Sequence, residues 1–325
     1  MSSLSLVSLT YAAQEVNIYL RSIILIFGVT SNILNIIVFL SLEIFRDSSC
    51  AFYLLVMSFV SIIQIFFGLF ARTLNVAFSV DWSTTSLTYC KLRYYFFQVC
   101  SAIFYTCIAL ATIDQYLATC SSPFLQRFSN IKLARWLFVI VTIIWIMHGI
   151  PILYYYNQDI SNSTNATICT ITNDTFQQYY SYFTLIILLC SMPVIITVLF
   201  GILAYRNVQH LTYRTMPLVR RETDKQLTIM VLVQDVYNLF FIIPYIVVYA
   251  LQLNLNINLD PIYAAQIELA LSITGALYYV PFSSAFYIYV CVSERFRRQF
   301  LYVLFKLHLG RCRQDFARNQ ILPDT

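Results

Sequence analysis

The chain has 325 residues, of which 59% are hydrophobic and only 11% are charged. A soluble domain carries about 25% charged residues, and the mean hydropathy here is +0.71, so the composition excludes a soluble globular protein. The apolar segments recur along the whole chain without a long polar linker, which favours a single membrane domain. The formal net charge of +5 means that the few charged residues are more often basic than acidic.

Seven segments meet the requirement for a transmembrane helix, which is about 20 predominantly apolar residues. In chain order the predicted spans are Val16–Leu42, Ala51–Asn75, Leu87–Cys120, Ala134–Tyr156, Phe176–Tyr205, Leu227–Leu251 and Pro261–Val292. They are long and continuous and lack the alternation that is typical of barrel strands. We therefore predict an all-α membrane protein, with a seven-transmembrane helix bundle over residues 16–292.

The last predicted span is followed by a segment that is apolar on only one helical face. Within Ser293–Leu309, the side chains of Phe296, Phe300 and Phe305 recur at helical spacing, and Arg and Lys residues occupy the opposite face. This pattern predicts a short amphipathic helix that lies on the membrane surface. Residues 310–325 would then form a cytoplasmic tail.

The distribution of positive charge predicts the orientation of the bundle. With an extracellular N-terminus, most of the 20 Lys and Arg residues fall in loops and tail on the cytoplasmic side, as the positive-inside rule requires. Residues 1–15 would be a short extracellular segment, without the basic region of a cleaved signal peptide. The basic face suits anionic lipid rather than nucleic acid. We therefore expect a multi-pass protein in the bilayer of the plasma membrane.

The predicted extracellular loop between spans 4 and 5 contains candidate modification sites. Asn162, Asn165 and Asn173 each begin an N-glycosylation sequon. The same loop contains Cys169, and Cys90 begins span 3 on the same side, where an oxidising environment permits a disulfide. The alternative is that both cysteines are simply buried apolar residues. Beyond the amphipathic helix, Cys312 is a candidate for reversible palmitoylation.

Motifs of catalysis, phosphate binding and metal binding are missing from the sequence. The three histidines, His148, His210 and His308, are spread over different parts of the chain. We therefore predict that the protein is not an enzyme and needs no cofactor or metal. A transporter or channel is a second alternative, but it would require inverted repeats or several intramembrane charges, and the sequence has neither.

Several residues occur in the order and spacing of a known receptor family. Asn32 lies in span 1, and Asp114-Gln115-Tyr116 lies in span 3, with Gln115 25 residues after Cys90. The others are Trp145 in span 4, Pro193 in span 5, Pro244 in span 6 and Tyr289–Phe300 at the end of span 7. Over about residues 20–310 the chain resembles a rhodopsin-like (class A) G-protein-coupled receptor. Within that family it is similar to divergent neuropeptide-type orphan receptors of invertebrates.

The resemblance implies a function and several roles. It implies a disulfide between Cys90 and Cys169, an extracellular ligand that is possibly a neuropeptide, and a heterotrimeric G protein as the cytoplasmic partner. The coupling residues that it implies are Asp114, Gln115, Tyr116, Asp224 and Tyr289. In this interpretation, Gln115 forms a hydrogen bond with Asp114 or with Asp224 at the base of span 6.

The departures from the family pattern concern its switch residues. Gln115 stands where the family has Arg, and Ser61 stands where it has a buried Asp in span 2. The helix-six Trp is missing, and Asn-Pro-x-x-Tyr keeps only Tyr289. A neutral Gln115 predicts a weaker inactive-state contact than a charged pair. These departures leave open a receptor-fold protein that binds ligand but signals weakly, as a decoy or scaffold.

The family pattern also bounds the ligand. The Asp of amine receptors aligns with Phe97 and the retinal lysine of opsins aligns with Tyr279, so neither class is expected. Arg72, in the outer part of span 2, is a candidate to bind a ligand carboxylate; the alternatives are that it extends to the membrane surface or pairs with Asp81. The full set of ligand-binding candidates is Arg72, Tyr94, Phe97, Gln98, Ser101, Tyr105, Glu268 and Tyr279.

One acid, Asp235, falls inside predicted span 6. Intramembrane acids usually have a partner and often have a role. Asp235 is expected either to replace the missing span-2 acid, with Asn32, Asn35 or Asn238 as neutral partners, or to be protonated and merely packed.

Overall fold

A computed structural model describes residues 2–41, 43–78, 81–160, 167–210, 218–254 and 261–305. Within these residues, seven helices are long and apolar enough to cross a membrane. We call them spans 1 to 7, and they comprise Leu6–Ser41, Ser49–Phe78, Leu87–Thr119, Ile131–Tyr155, Asp174–Gln209, Lys225–Leu253 and Ile262–Val292. The protein is thus an all-α, seven-helix, multi-pass membrane protein, as the hydropathy pattern predicts.

Some spans combine several helical segments. Spans 1, 2 and 5 each consist of two α-helical segments with a π-helical segment between them. These are Ser2–Glu15, Val16–Leu20 and Arg21–Ser41 in span 1; Ser49–Gln64, Ile65–Phe70 and Ala71–Phe78 in span 2; and Asp174–Gln178, Tyr179–Ser191 and Met192–His210 in span 5. Span 7 consists of the α-helices Pro261–Leu277 and Val280–Val292. Span 6 belongs to a helix over Leu218–Asn254. Short helices outside the spans are Glu43–Arg46, Trp82–Thr85, Pro123–Gln126 and Glu294–Tyr302.

The first span begins earlier than the sequence predicts. Residues 1–15 were expected to be a short segment outside the bundle, but Ser2–Glu15 form an α-helix that continues into the π-helical Val16–Leu20. The reason lies in span 7, since Ser2–Glu15 packs against Pro261–Leu277. Where the α-helix gives way to the π-helical turn, Asn17 Nδ2 donates a hydrogen bond to Ser272 Oγ at 3.1 Å.

Span 3 forms the centre of the bundle, and span 4 lies at its periphery. In the most apolar stretch of span 3, 72% of the residues are buried inside the bundle, compared with only 11% in that of span 4. Span 3 packs against spans 2, 4, 5 and 6. Trp145 of span 4 attaches to it by a hydrogen bond from Nε1 to Thr106 Oγ1 at 3.0 Å.

The outer surface of the bundle is apolar. Trp136 is 69% exposed, Phe240 72% and Val236 67%, and many Ile and Leu side chains are similarly exposed. An apolar surface of this extent is unstable in water but matches the hydrocarbon of a bilayer, and the backbone groups are satisfied within helices as lipid requires.

A β-hairpin lies at one end of the bundle, between spans 4 and 5. Its strands, β1 (Tyr156–Ile160) and β2 (Thr167–Ile171), pair antiparallel with Tyr156 opposite Ile171. A disulfide joins Cys169 of β2 to Cys90 of span 3, with the Cα atoms 5.9 Å apart. This confirms the predicted disulfide. We call this end the hairpin end; the helices Glu43–Arg46, between spans 1 and 2, and Pro123–Gln126, between spans 3 and 4, lie at the opposite end.

The helix Glu294–Tyr302 follows span 7 at the opposite end. Ser293 caps it, because its Oγ accepts a hydrogen bond from Phe296 N at 3.1 Å. Phe296 is 1% exposed and packs against Phe39 and Phe286, whereas Leu301 is 49% exposed. The helix therefore has the predicted apolar anchoring residue. The rest of predicted Ser293–Leu309, from residue 306 onward, lies outside the described residues.

Candidate functional site

The main cavity opens at the hairpin end and has a volume of about 330 Å³. Residues of spans 1, 2, 3, 5, 6 and 7 line it, together with Tyr156 of β1. Its volume is at the lower end of the range of small-molecule sites, which is about 300–1,000 Å³. A small ligand, or one terminus of a longer ligand, fits a cavity of this size.

Three arginines contribute to the cavity wall, one from each of the first three spans. They are Arg21, Arg72 and Arg93. Arg21 is only 3% exposed, whereas Arg72 is exposed. Among the described residues that line the cavity there is no Asp or Glu. The formal charge of the described lining residues is therefore positive.

Arg93 is held in place by three contacts. Its Nη1 lies 3.9 Å from Asp81 Oδ1, its Nε donates to the Phe67 carbonyl oxygen at 3.3 Å, and its guanidinium lies 5.7 Å from the ring centroid of Tyr94. Asp81 was considered above as a partner for Arg72, but it pairs with Arg93 instead. One of the three positive charges is therefore partly neutralised, and no acidic partner of the other two is found among the described residues.

The remaining wall is largely aromatic. Seven tyrosines line the cavity: Tyr94, Tyr156, Tyr180, Tyr245, Tyr249, Tyr278 and Tyr279. The ring of Tyr94 stacks on that of Tyr156 of the hairpin, with centroids 4.2 Å apart. Gly68 makes room for Tyr279, because a Cβ atom at position 68 would overlap the Tyr279 hydroxyl and ring. Phenol rings of this kind supply both apolar faces and hydrogen-bond donors.

Four of the eight predicted ligand-binding residues line this cavity: Arg72, Tyr94, Phe97 and Tyr279. Glu268 is exposed and does not line it. Gln98, Ser101 and Tyr105 lie deeper in the bundle, at 1%, 0% and 3% exposure. Their position follows from the direction of span 3, which carries its later residues away from the hairpin end.

The deeper residues connect the cavity to neighbouring spans. Gln64 Nε2 of span 2 donates to Ser101 Oγ at 2.8 Å, and Ser101 Oγ lies 3.0 Å from the hydroxyl of Tyr278. Tyr278 itself lines the cavity. Spans 2, 3 and 7 are thus joined by hydrogen bonds directly beneath the ligand-sized space.

The sequence interpretation missed Arg21 and Arg93, as well as the tyrosines of spans 5 and 6. A signal existed for the arginines, since Arg21 is a charged residue within an apolar span and such residues commonly mark functional sites. No comparable signal existed for Tyr180, Tyr245 or Tyr249, since their approach to one another depends on how spans 5 and 6 pack.

A second polar site lies between spans 3, 5 and 6, around Asp235. Thr112 Oγ1 donates to Asp235 Oδ2 at 2.8 Å, and Asp235 is 5% exposed. The hydrogen-bond partner of Asp235 is therefore Thr112. Asn32 donates to the Gly28 and Phe282 carbonyls instead, and neither side-chain amide atom of Asn35 has a hydrogen-bond partner among the described residues. Asn238 and Asp235 line the same cavity of about 20 Å³, which is large enough for one water molecule.

Span 1 is attached to span 7 by Ser31 and Asn32. Asn32 Nδ2 donates to the carbonyl oxygens of Gly28 and Phe282, each at 2.8 Å, and Ser31 Oγ accepts from Phe286 N at 3.1 Å. The three predicted intramembrane polar residues are all buried, with Asn32 and Ser61 each 1% exposed and Asp235 5%.

At the opposite end, Gln115 contacts span 6 through a residue that the sequence interpretation did not name. Its Oε1 accepts a hydrogen bond from Thr228 Oγ1 at 2.7 Å, and Gln115 is 2% exposed. The sequence interpretation named Asp114 or Asp224 as the partner. Thr228 lies one helical turn beyond Asp224 and so faces the same side of the helix. The Asp224 side chain lies outside the part of the chain that the structure describes.

The other predicted coupling residues lie near this contact. Asp114 is 7% exposed, and the ring of Tyr116 lies 5.5 Å from that of Phe200 in span 5. Tyr289 of span 7 is 1% exposed, and its hydroxyl donates to Gln234 Oε1 of span 6. Spans 3, 6 and 7 are therefore joined at the opposite end by hydrogen bonds between neutral side chains.

The predicted modification sites fall at different places in the described chain. Asn173 is exposed at the hairpin end, and its Oδ1 caps the start of the helix Asp174–Gln178 by accepting from Phe176 N at 2.8 Å. Asn162, Asn165 and Cys312 lie outside the described residues.

Comparison with known proteins found no matching protein-family model, and no curated protein matched the sequence at a significant level.

Proposed function

We propose that the chain is a rhodopsin-like G-protein-coupled receptor of the plasma membrane, with an extracellular N-terminus. In this proposal an extracellular peptide or small molecule binds at the hairpin end, and a heterotrimeric G protein binds at the opposite end. The observation that carries it is a ligand-sized cavity at one end of a seven-span bundle. The spans that line this cavity are joined at the other end by a few buried hydrogen bonds.

Two hydrogen bonds give the proposal a mechanism. Gln115 to Thr228 joins spans 3 and 6, and Tyr289 to Gln234 joins spans 6 and 7. A ligand shifts a conformational equilibrium only through its different affinity for two states. A ligand that contacts the span 6 and 7 tyrosines, Tyr245 and Tyr278, would favour one arrangement of span 6. Outward movement of span 6 would then break both hydrogen bonds and open the G-protein face.

The second candidate function is a receptor-fold protein that binds ligand without activating a G protein. Gln115 favours it, because the family's G proteins contact an arginine at this position and Gln carries no charge. In this candidate the protein acts as a ligand decoy or scaffold.

The test measures surface orientation and G-protein activation in the same cells. An N-terminal epitope should be accessible to antibody on intact cells. With a promiscuous G protein, Thr228→Val should raise ligand-independent activation, because it removes the hydroxyl that bonds to Gln115. Ser58→Ala is the matched control, since Ser58 Oγ is buried but donates only to the Leu54 carbonyl of its own helix.

The two candidates predict different results. A receptor that couples should respond to Thr228→Val in at least one G-protein pathway, and a screen of peptides and small molecules should yield an activating ligand. Surface expression without activation by any variant or ligand would exclude a conventional receptor. An epitope that is accessible only after permeabilisation would exclude the orientation.

A further inference from the structure

We propose that the hairpin-end cavity recognises a carboxylate that is attached to an apolar or aromatic group, and that Arg21 is its principal binding residue. This inference rests on the proposed function, because it names the chemical class of ligand for the same site. The carboxylate can come from a small organic acid or from the C-terminus of a peptide.

The first argument is the uncompensated charge of Arg21. Its side chain is 97% buried within span 1, and its Nε has no hydrogen-bond partner. Removing a guanidinium from water is unfavourable unless the charge is paired and its hydrogen bonds are satisfied. No Asp or Glu among the described cavity residues supplies that pairing. A ligand anion would supply both the charge and the acceptors.

The second argument is the direction of the Arg21 side chain. Gly275 of span 7 lines the cavity, and the position of a Cβ atom there would lie 3.4 Å from Arg21 Nη2. The guanidinium therefore extends from span 1 towards Gly275 of span 7, where no side chain fills the cavity wall. Arg21 is thus directed into the cavity and not towards the lipid.

The third argument is the convergence of donors on one region. Arg21, Arg72, Arg93 and Tyr279 all line the same cavity. Like charges are brought together in this way where a common anion binds. Arg presents planar donors that match a carboxylate, and the Tyr279 hydroxyl adds a further donor.

Arg72 and Arg93 have secondary roles in this proposal. Arg93 is already fixed by Asp81 and by the Phe67 carbonyl. Arg72 is exposed, so its long side chain can reach solvent by itself. Both add positive charge to the cavity wall, but of the three arginines only Arg21 is buried with a guanidinium nitrogen, Nε, that has no hydrogen-bond partner among the described residues. The rings of Tyr94, Phe97 and Tyr278 line the same cavity and suit the apolar part of the ligand.

The experiment measures binding to the full chain in nanodiscs of neutral phosphatidylcholine, without any G protein. The probes are 4-phenylbutyrate and two matched compounds, 4-phenylbutanamide and 4-phenylbutylamine. A second arm uses N-acetyl-glycyl-phenylalanine with a free or an amidated C-terminus. Dissociation constants come from the concentration dependence of thermal unfolding, followed by the fluorescence of the three tryptophans.

We expect the free acid of at least one pair to bind about tenfold or more tightly than its amide, since charge-assisted hydrogen bonds are the stronger ones. The amine should bind most weakly. The arm with the larger acid preference identifies whether a small acid or a peptide terminus is the better ligand. Equal binding of acid and amide in both arms, or no binding up to the solubility limit, overturns the inference.

Variants then assign the preference to Arg21. Arg21→Gln should abolish the acid preference, whereas Arg21→Lys should restore part of it. Arg135→Gln is the matched control, because Arg135 is exposed near the opposite end of the bundle and its loss removes the same charge. An acid preference that survives Arg21→Gln in folded protein overturns the role of Arg21. The comparison of acid with amide on the unaltered chain does not depend on any variant folding.

The design separates this inference from the proposed function. Acid-selective binding, together with surface expression but no G-protein activation by any ligand or variant, would support the inference and exclude a coupled receptor. Activation by a neutral or cationic ligand, with no acid preference in nanodiscs, would support the receptor and exclude the inference.

Discussion

At the scale of single residues, a few polar side chains hold the spans in register. Span 1 contacts the backbone of span 7 through Asn32 and Ser31, which bind the Phe282 carbonyl and the Phe286 N–H. Apolar packing alone distinguishes poorly between rotated arrangements of helices in lipid, because lipid tails are as apolar as the side chains. Directional hydrogen bonds of this kind select one arrangement.

The first prediction concerns Asn32. Asn32→Ala removes two hydrogen bonds at 2.8 Å and leaves the Phe282 carbonyl without that donor. We expect a loss of about 0.5–2 kcal/mol in stability, the range that model peptides and double-mutant cycles give for interhelical hydrogen bonds in membranes, measured by thermal or denaturant unfolding in nanodiscs. Ile33→Ala is the control, since Ile33 is 46% exposed on the outer surface and should lose less. Equal losses would contradict the proposed contribution of these bonds.

The second prediction concerns Gly68. A Cβ atom at this position would overlap Tyr279, whereas a Cβ at Gly275 would meet its nearest atom at 3.4 Å, an ordinary contact. Gly68→Ala should therefore displace Tyr279 and destabilise the protein by about 1–3 kcal/mol, as overpacking does, and Gly275→Ala should change stability little. Thermal unfolding of the two variants tests this difference. Tyr279→Leu in the Gly68→Ala background should recover stability; if it adds a further loss, the steric explanation fails.

The residue scale also shows what sequence can and cannot predict about the site. The sequence predicts Arg72 from its place in the outer part of span 2, Tyr94 from its face of span 3, and Phe97 and Tyr279 from their alignment with ligand-binding positions of the receptor family that the chain resembles. Arg21 was missed, although a lone arginine in an apolar span is a signal in itself. The contact of Gln115 with Thr228 was not predicted, because the register between spans 3 and 6 is a property of packing and not of either sequence alone.

At the scale of elements, the hairpin forms part of the cavity wall. Tyr156 of β1 stacks on Tyr94 of span 3, and the disulfide fixes β2 to the start of the same span. A further hydrogen bond joins Gln158 Nε2 of β1 to the Ser83 carbonyl oxygen at 2.9 Å. The hairpin is thus attached to the bundle at three places, and it holds Tyr156 in the cavity wall.

The third prediction follows from this attachment. The disulfide closes a loop with a sequence separation of 79 residues, and loss of a disulfide typically costs about 2–4 kcal/mol. Cys90→Ala and Cys169→Ala should each lower the unfolding temperature and surface expression, and the double variant should do no more than either single variant. Cys291→Ala, at an exposed cysteine of span 7, is the control. Additive losses in the double variant would argue against a shared bond.

Elements differ in how well the sequence predicts them. The seven spans follow from hydropathy, because a continuous stretch of about 20 apolar residues is the length that a transmembrane helix requires. The start of span 1 was misplaced, since Ser2–Glu15 is weakly apolar and is helical against span 7. The β-hairpin between spans 4 and 5 was not predicted, because its strands are only five residues each and lie within a polar loop.

At the scale of the whole molecule, the orientation in the membrane is a prediction from charge. The fourth prediction tests this orientation at Asn173, an exposed sequon residue at the hairpin end. In a background of Asn162→Gln and Asn165→Gln, the chain should carry one glycan that a glycosidase removes, seen as a mobility shift on a gel. This result requires the hairpin end to face the lumen during synthesis, and hence the cell exterior.

The matched variants separate glycosylation from capping. Thr175→Ala destroys the sequon but keeps the Asn173 side chain, which caps its helix through Phe176 N. Asn173→Gln removes both the sequon and the cap. Both should abolish the glycan, and only Asn173→Gln should also lower stability, by about 1 kcal/mol. If the chain reached the cell surface without any glycan, the distribution of charge would be the sole support for this orientation. If a sequon introduced in the loop after span 3 were glycosylated, the orientation would be the opposite of the one predicted.

The N-terminal helix has a consequence for experimental design. Ser2–Glu15 comprises 14 residues, which at a rise of about 1.5 Å per residue extends about 21 Å. It continues into span 1 and packs against span 7. A domain fused before it would therefore be joined to the bundle by a continuous helix and not by a flexible linker. Such a fusion offers a rigid fiducial for single-particle imaging of a protein whose described residues belong mainly to the seven spans.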